Sequence, residues 1–102
     1  MKIVKVVYTT TSAYTEQNQQ NIRKVMSDLQ KSDHKGINYN ACIGGDGKTF
    51  IHTAFFKSDE DQKLLNELPS FKSFQENLKA GGFEVSPKQE LLSLVGSSRE
   101  IF

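Results

Sequence analysis

The sequence predicts an α+β sandwich of order β-α-β-β-α-β, with a four-stranded antiparallel sheet and two helical regions on one face. Three observations carry this. Four segments rich in β-branched and aromatic residues read as strands. Two longer segments with apolar residues at helical spacing separate the first strand from the second and the third from the fourth. A turn of three glycines and an aspartate, "GGDGK", joins the middle strands into a hairpin.

Strand 1 is "KIVKVVYTTT", Lys2 to Thr11. In "SAYTEQNQQNIRKVMSDLQKSD", Ile22, Val25, Met26 and Leu29 fall at i, i+3, i+4 and i+7 and line one side of a helix. Gly36 in "DHKG" is the expected left-handed stop. Strand 2, "INYNACI", Ile37 to Ile43, alternates apolar and polar residues; strand 3 is "TFIHTAFF", Thr49 to Phe56. Ser58 is a good N-cap for the second helical region, with Asp59, Glu60 and Asp61 at the positive end of its dipole. Pro69 breaks that helix or starts a fresh turn. Leu64, Leu65, Leu68, Phe71, Phe74 and Leu78 form its apolar stripe, and Gly81 and Gly82 stop it. Strand 4 is expected at "KQELLSLVG", Lys88 to Gly96. Two crossovers around a central hairpin make this a ferredoxin-like sandwich. One domain is expected over 1–96, with 97–102, "SSREIF", a short tail that is mobile unless Ile101 and Phe102 dock.

Thirteen basic and twelve acidic residues leave a net charge of +1, which gives no electrostatic footprint for a nucleic acid. Cys42 is the only cysteine, so no intrachain disulfide can form, and a single thiol suits a reducing cytoplasm. No signal-peptide pattern opens the chain and no apolar run is long enough for a membrane span. A cytoplasmic protein with no membrane or nucleic-acid partner is expected. His34, Cys42 and His52 match no metal-ligand spacing, and no metal or cofactor is expected. "GGDGKT" imitates a phosphate loop, but Cys42 stands where the pattern needs glycine. The turn also leads into a strand and not a helix.

Strands 1, 3 and 4 carry apolar residues at both parities, and a sheet apolar on both sides wants cover on both. No third helix is expected, so a second copy of the chain is the simplest cover. Polar strand residues then mark a wet pocket, since burying them unpaired costs about 1–3 kcal/mol each. Lys5, Asn38 and Asn40 assign one face of strands 1 and 2 to that pocket. The even face of strand 3 (Phe50, His52, Ala54, Phe56) is assigned there because it holds the histidine, although Thr53 is polar on the other side. The expected site is Lys5, Asn38, Asn40 and His52, with Thr9 beside them, walled by Phe50 and Phe56. His52 has the ordinary pKa for acid–base work near neutrality, and either asparagine can hold an oxyanion. The plainer reading of His52 is a hydrogen bond between strands or across a dimer. Cys42 reads as a small buried hydrophobe, His34 as a solvated loop residue, and Tyr8 and Tyr14 as packed rings with wet hydroxyls.

The stretches "TFIHTAFFKSDED", "LPSFKSFQENLKAGG" and "SPKQELLSLVG" resemble the dimeric α+β barrel superfamily, near the antibiotic-biosynthesis monooxygenases, and the resemblance covers Lys2 to Gly96. It implies a homodimer packed sheet to sheet. It also implies a pocket for a small apolar or aromatic compound, between helices and sheet or inside the barrel. Cofactor-independent oxygenation is the implied activity, with His52 taking a proton and an asparagine holding the oxyanion. The Asn, Trp and His set typical of such enzymes is not carried over: the chain has no tryptophan and no histidine in its second helical region. The alternative is a non-catalytic structural homodimer whose barrel is filled by residues such as Phe50, Phe56 and Leu91.

Overall fold

The computed structural model describes Met1–Phe102. In chain order it comprises β1 (Lys2–Thr10), α1 (Thr15–Ser32), β2 (Ile37–Ile43), β3 (Thr49–Phe56), α2 (Asp59–Glu67), α3 (Pro69–Lys79) and β4 (Phe83–Leu92). The strands form one antiparallel sheet of order β2-β3-β1-β4. Each β-α-β leg therefore skips one strand, and the expected ferredoxin-like arrangement is observed.

Local chemistry accounts for most boundaries. The β2–β3 turn is closed by the Asp46 carboxylate, which accepts from the backbone N–H groups of Lys48 at 3.0 Å and Thr49 at 2.8 Å. With the Thr49 hydroxyl, these donors pull the Asp46 pKa down to about 2. The loop that imitates a phosphate cradle is thus filled by its own carboxylate. Pro69 needs no N–H at the first position of α3, and Leu68 before it is extended, as a residue preceding proline prefers.

Ser58 and Asp61 form a reciprocal capping box on α2. Ser58→Ala should cost about 1 kcal/mol, read as a lower urea midpoint at unchanged slope.

Two boundary expectations are corrected. The left-handed residue after α1 is Asp33, at φ 50°, and not Gly36. Gly36 is needed for space: a methyl group there would run into the Asp61 carboxylate. β4 begins five residues earlier than expected and ends at Leu92, so Leu94 and Val95 lie beyond it, exposed. Pro87 is tolerated inside β4 because β4 is an edge strand whose register with β1 shifts near that point.

The core lies between the helices and one sheet face. Ile22 and Val25 of α1, Leu65 of α2, and Phe71, Phe74 and Leu78 of α3 pack on Val4, Tyr8, Phe50, Ala54 and Phe56. Met26, Leu29 and Leu68 are partly buried against this cluster, whereas Leu64 departs from the expected stripe and is exposed. No helix is long and apolar enough to cross a membrane.

β3 alternates strictly, its even residues buried and its odd residues half-buried. His52 pairs with Val6 on one side and Ala41 on the other. Directly paired residues share a face, so even β3 residues lie with even β1 and odd β2 residues, beneath the helices. Lys5, Asn38, Asn40 and Thr53 share the opposite, helix-free face. There the Lys5 ammonium stands 3.8 Å from Glu90. Asn38 Nδ2 donates to the Ile101 carbonyl at 3.2 Å, which ties the C-terminal tail to β2. Ile3, also on this face, is buried yet belongs to no part of the helix-side cluster.

Candidate functional site

The expected site residues do not form one cluster. Phe50, His52 and Phe56 lie under the helices, while Lys5, Asn38 and Asn40 face the other way across the sheet. The assignment of β3 to the wet face is overturned for a physical reason. A buried imidazole is inexpensive when both its nitrogens are paired, and here they are.

His52 Nε2 lies 2.7 Å from the Tyr8 hydroxyl, and Nδ1 lies 2.6 Å from the Tyr39 hydroxyl. Asn18 Nδ2, on α1, donates to the Tyr8 hydroxyl at 2.9 Å. The four side chains make a continuous hydrogen-bonded chain from α1 through β1 and β3 to β2. Aromatic rings enclose it. Phe50 stacks on Tyr8 at 5.5 Å between centroids, Phe74 lies 5.5 Å from His52, and Phe71 meets Tyr39 edge-on at 6.1 Å. Burial pushes the His52 pKa down to about 4, so the ring is neutral at physiological pH. Burial likewise raises the Tyr8 and Tyr39 phenols well above their ordinary value. The Tyr8 hydroxyl is therefore not wet, as the sequence led us to expect, but buried and paired.

Beside this chain is a cavity of about 300 Å³ between the sheet and the α2–α3 pair. That is the lower end of the range for small-molecule sites, ~300–1,000 Å³. Val4, Val6, Tyr8, Tyr39, His52, Ala54 and Phe56 of the sheet floor it, and Leu65, Phe71, Phe74 and Leu78 roof it. Exposed Asn66, Gln75, Lys79 and Gln89 give it a polar rim. Phe50 is not on its wall. No group of three or more His, Cys, Asp or Glu side chains is placed to hold a metal. Cys42 is exposed, which corrects its reading as a buried hydrophobe.

No family model matches this sequence, and no curated relative matches it. Solved structures do. A candidate antibiotic biosynthesis monooxygenase from Nitrosomonas europaea superposes with a TM-score of 0.79 at 13% identity, over 94% of this chain and 100% of that one. The chain has the fold of the antibiotic biosynthesis monooxygenases. Rv0793 from Mycobacterium tuberculosis shares this monooxygenase fold at TM-score 0.78 and 9% identity, over 96% of this chain and 98% of that one. A variant of SnoaB, a cofactor-independent oxygenase from Streptomyces nogalater, does so at 0.70 and 12%, over 97% and 98%. A fold hosts many chemistries, so what this chain does rests on the side chains around the cavity.

Asn18 and Tyr39 were not singled out in the sequence as functional residues. Asn18 sits in a run of glutamines and asparagines with nothing to distinguish it. Tyr39 stands at an odd position of β2, and the parity that gives Asn38 and Asn40 to the other face puts it beneath the helices. The usable signal was joint: Tyr8, Tyr39 and His52 share one face only if β3 takes the parity that buries its histidine.

Proposed function

We propose that the chain binds a small, flat, apolar or aromatic compound in the cavity between its helices and sheet, and oxygenates it without a cofactor. The observation that carries the reading is an apolar cavity whose floor holds one neutral, doubly hydrogen-bonded histidine. The fold shared with a protein described as a cofactor-independent oxygenase supports the reaction class. In such a reaction an electron-rich ring carbon loses a proton, and the anion reduces dioxygen. In the keto tautomer of a quinol that carbon is a CH2, so one oxygen atom stays on it as a carbonyl while the other leaves as water with the carbon's two hydrogens. Because both His52 nitrogens are held by tyrosines, protons pass between ligand and imidazole by way of a phenol. The asparagines expected to hold an oxyanion, Asn38 and Asn40, lie on the wrong face for it.

The reading includes a second copy of the chain over the helix-free face. Half-buried Val7, Ile51 and Phe55 there support it, as do exposed Leu92, which pairs with Ile3 on that face, and exposed Leu94 and Val95 beyond the strand. Sedimentation at micromolar concentration should give twice the mass of one chain; a lone protomer would remove this part of the reading.

The test of activity is oxygen uptake on a panel of small quinols. Uptake is expected, and His52→Gln, which can bond both phenols but cannot be protonated, should lower it about 10²- to 10⁴-fold. No uptake from any quinol, alongside measurable binding of the same compounds by calorimetry, would leave a binding module in place of an enzyme.

A further inference from the structure

The hydrogen-bonded chain at the cavity floor has a direction, and one residue sets it. Asn18 is fully buried, and its Nδ2 gives a proton to the Tyr8 oxygen. That oxygen uses its better lone pair to accept from Asn18, and its own proton is placed by donation to the nearest acceptor, His52 Nε2. A neutral imidazole has one N–H and one lone pair. With Nε2 accepting, the ring proton sits on Nδ1 and is donated to the Tyr39 oxygen. The Tyr39 hydroxyl proton is then left over, because Tyr39 has no side-chain partner other than His52. The reverse direction has two routes. In one, the Tyr8 oxygen accepts from both Asn18 Nδ2 and His52 Nε2 and leaves its own proton unpaired, which suits a phenol poorly because one lone pair is conjugated with the ring. In the other, Asn18 is turned about its amide, with Oδ1 accepting from Tyr8. Oδ1 is unpartnered as it stands, and turning the amide would instead strand both Nδ2 hydrogens in the core. Buried orphan N–H groups are rarer than under-satisfied carbonyls, so the direction from Asn18 to Tyr39 is favoured.

We propose that Asn18 is a positioning residue that, through Tyr8 and His52, makes Tyr39 a hydrogen-bond donor on the cavity wall, so that the cavity selects flat ligands carrying an acceptor oxygen, a ring ketone or phenolate. This rests on the cavity being the ligand site and goes further, naming the ligand's polar group and the residue that meets it. A donor at this position also stabilises negative charge on the ligand oxygen, which acidifies an adjacent ring C–H. Tyr39 becomes the group that touches ligand, and His52 the link that orients it.

Two measurements test this on the full chain. Long-range proton–nitrogen correlation on histidine-labelled protein reads the tautomer directly. His52 should carry its proton on Nδ1, and Asn18→Leu should mix the two tautomers while the fold, followed by backbone amide shifts, is retained. A proton on Nε2 in the unmodified protein overturns the proposed direction. Calorimetry with fluorenone and fluorene, which differ by a ketone against a methylene, reads the selection. Fluorenone should bind about three- to tenfold more tightly, the scale of one net hydrogen bond. Tyr39→Phe should remove the preference, bringing the two affinities together. Equal affinity of the two compounds overturns the donor while preserving the cavity as a site. Failure of both to bind at their solubility limit overturns the cavity reading and, with it, the ligand selection.

Discussion

Phe74→Ala is expected to destabilise the fold by about 3–5 kcal/mol. Phe74 is 5% exposed and lies between the rings of Phe71, at 5.8 Å, and His52, at 5.5 Å. Removing it deletes a whole ring from the roof of a cavity that already exists, so its neighbours have little to collapse against. The expected loss is a large share of the ~5–15 kcal/mol available to a domain of ordinary stability. Urea unfolding should show it as a lower midpoint at nearly unchanged slope. Phe74→Leu, which keeps most of the volume, should cost less than about 1.5 kcal/mol. A loss below ~1 kcal/mol for the alanine variant would mean that the roof of the cavity is loosely packed and that α3 does not rest on this ring.

The second large effect is a loss of stability in mild acid. The folded protein keeps His52 neutral down to about pH 4, whereas a free imidazole takes up its proton near 6.5. The unfolded chain therefore binds the extra proton first. Stability from this group is fully present above pH 6.5 and falls as the pH drops through the window towards 4, by roughly 3 kcal/mol in all. Urea midpoints measured in steps from pH 7.5 to 4 should fall in step with this window, and His52→Gln should flatten the curve. Carboxylates such as Asp46, held at about 2, act only in stronger acid and do not overlap the window. A wild-type curve as flat as the variant's would mean that His52 titrates freely and is open to water.

Parts of this architecture were legible because a single local cause set each one. β2 and β3 occupy the residues their composition suggested, since the Asp46–Gly47 turn leaves the hairpin no other place to bend. The α2–α3 break follows from one missing N–H at Pro69. β4 was harder to place. Gly81 and Gly82 read as the helix stop, and only the edge position and the register shift against β1 let a strand run from Phe83 through Pro87. The apolar Leu94 and Val95 drew the expected strand towards the C-terminus, although nothing in the chain pairs with them there.

The candidate site was misread for a reason that applies to other sheets. Parity was judged one residue at a time, with polar side chains assigned to water. His52 is polar, yet Tyr8 and Tyr39 reach it from neighbouring strands, and three groups that would each be costly alone bury one another. Thr49 and Thr53 were the better witnesses to the wet side, and the antiparallel register then carries Lys5 and Asn40 with them.

Cys42 pairs with Ile51 and so stands on the side of the sheet away from His52, exposed and without another thiol in the chain. A fluorophore attached there through maleimide chemistry would sit one backbone layer away from the cavity. Its emission would respond to the approach of another protomer over that surface and stay silent to compounds entering between helices and sheet. The single native thiol thus allows assembly and occupancy to be followed as separate signals in one sample.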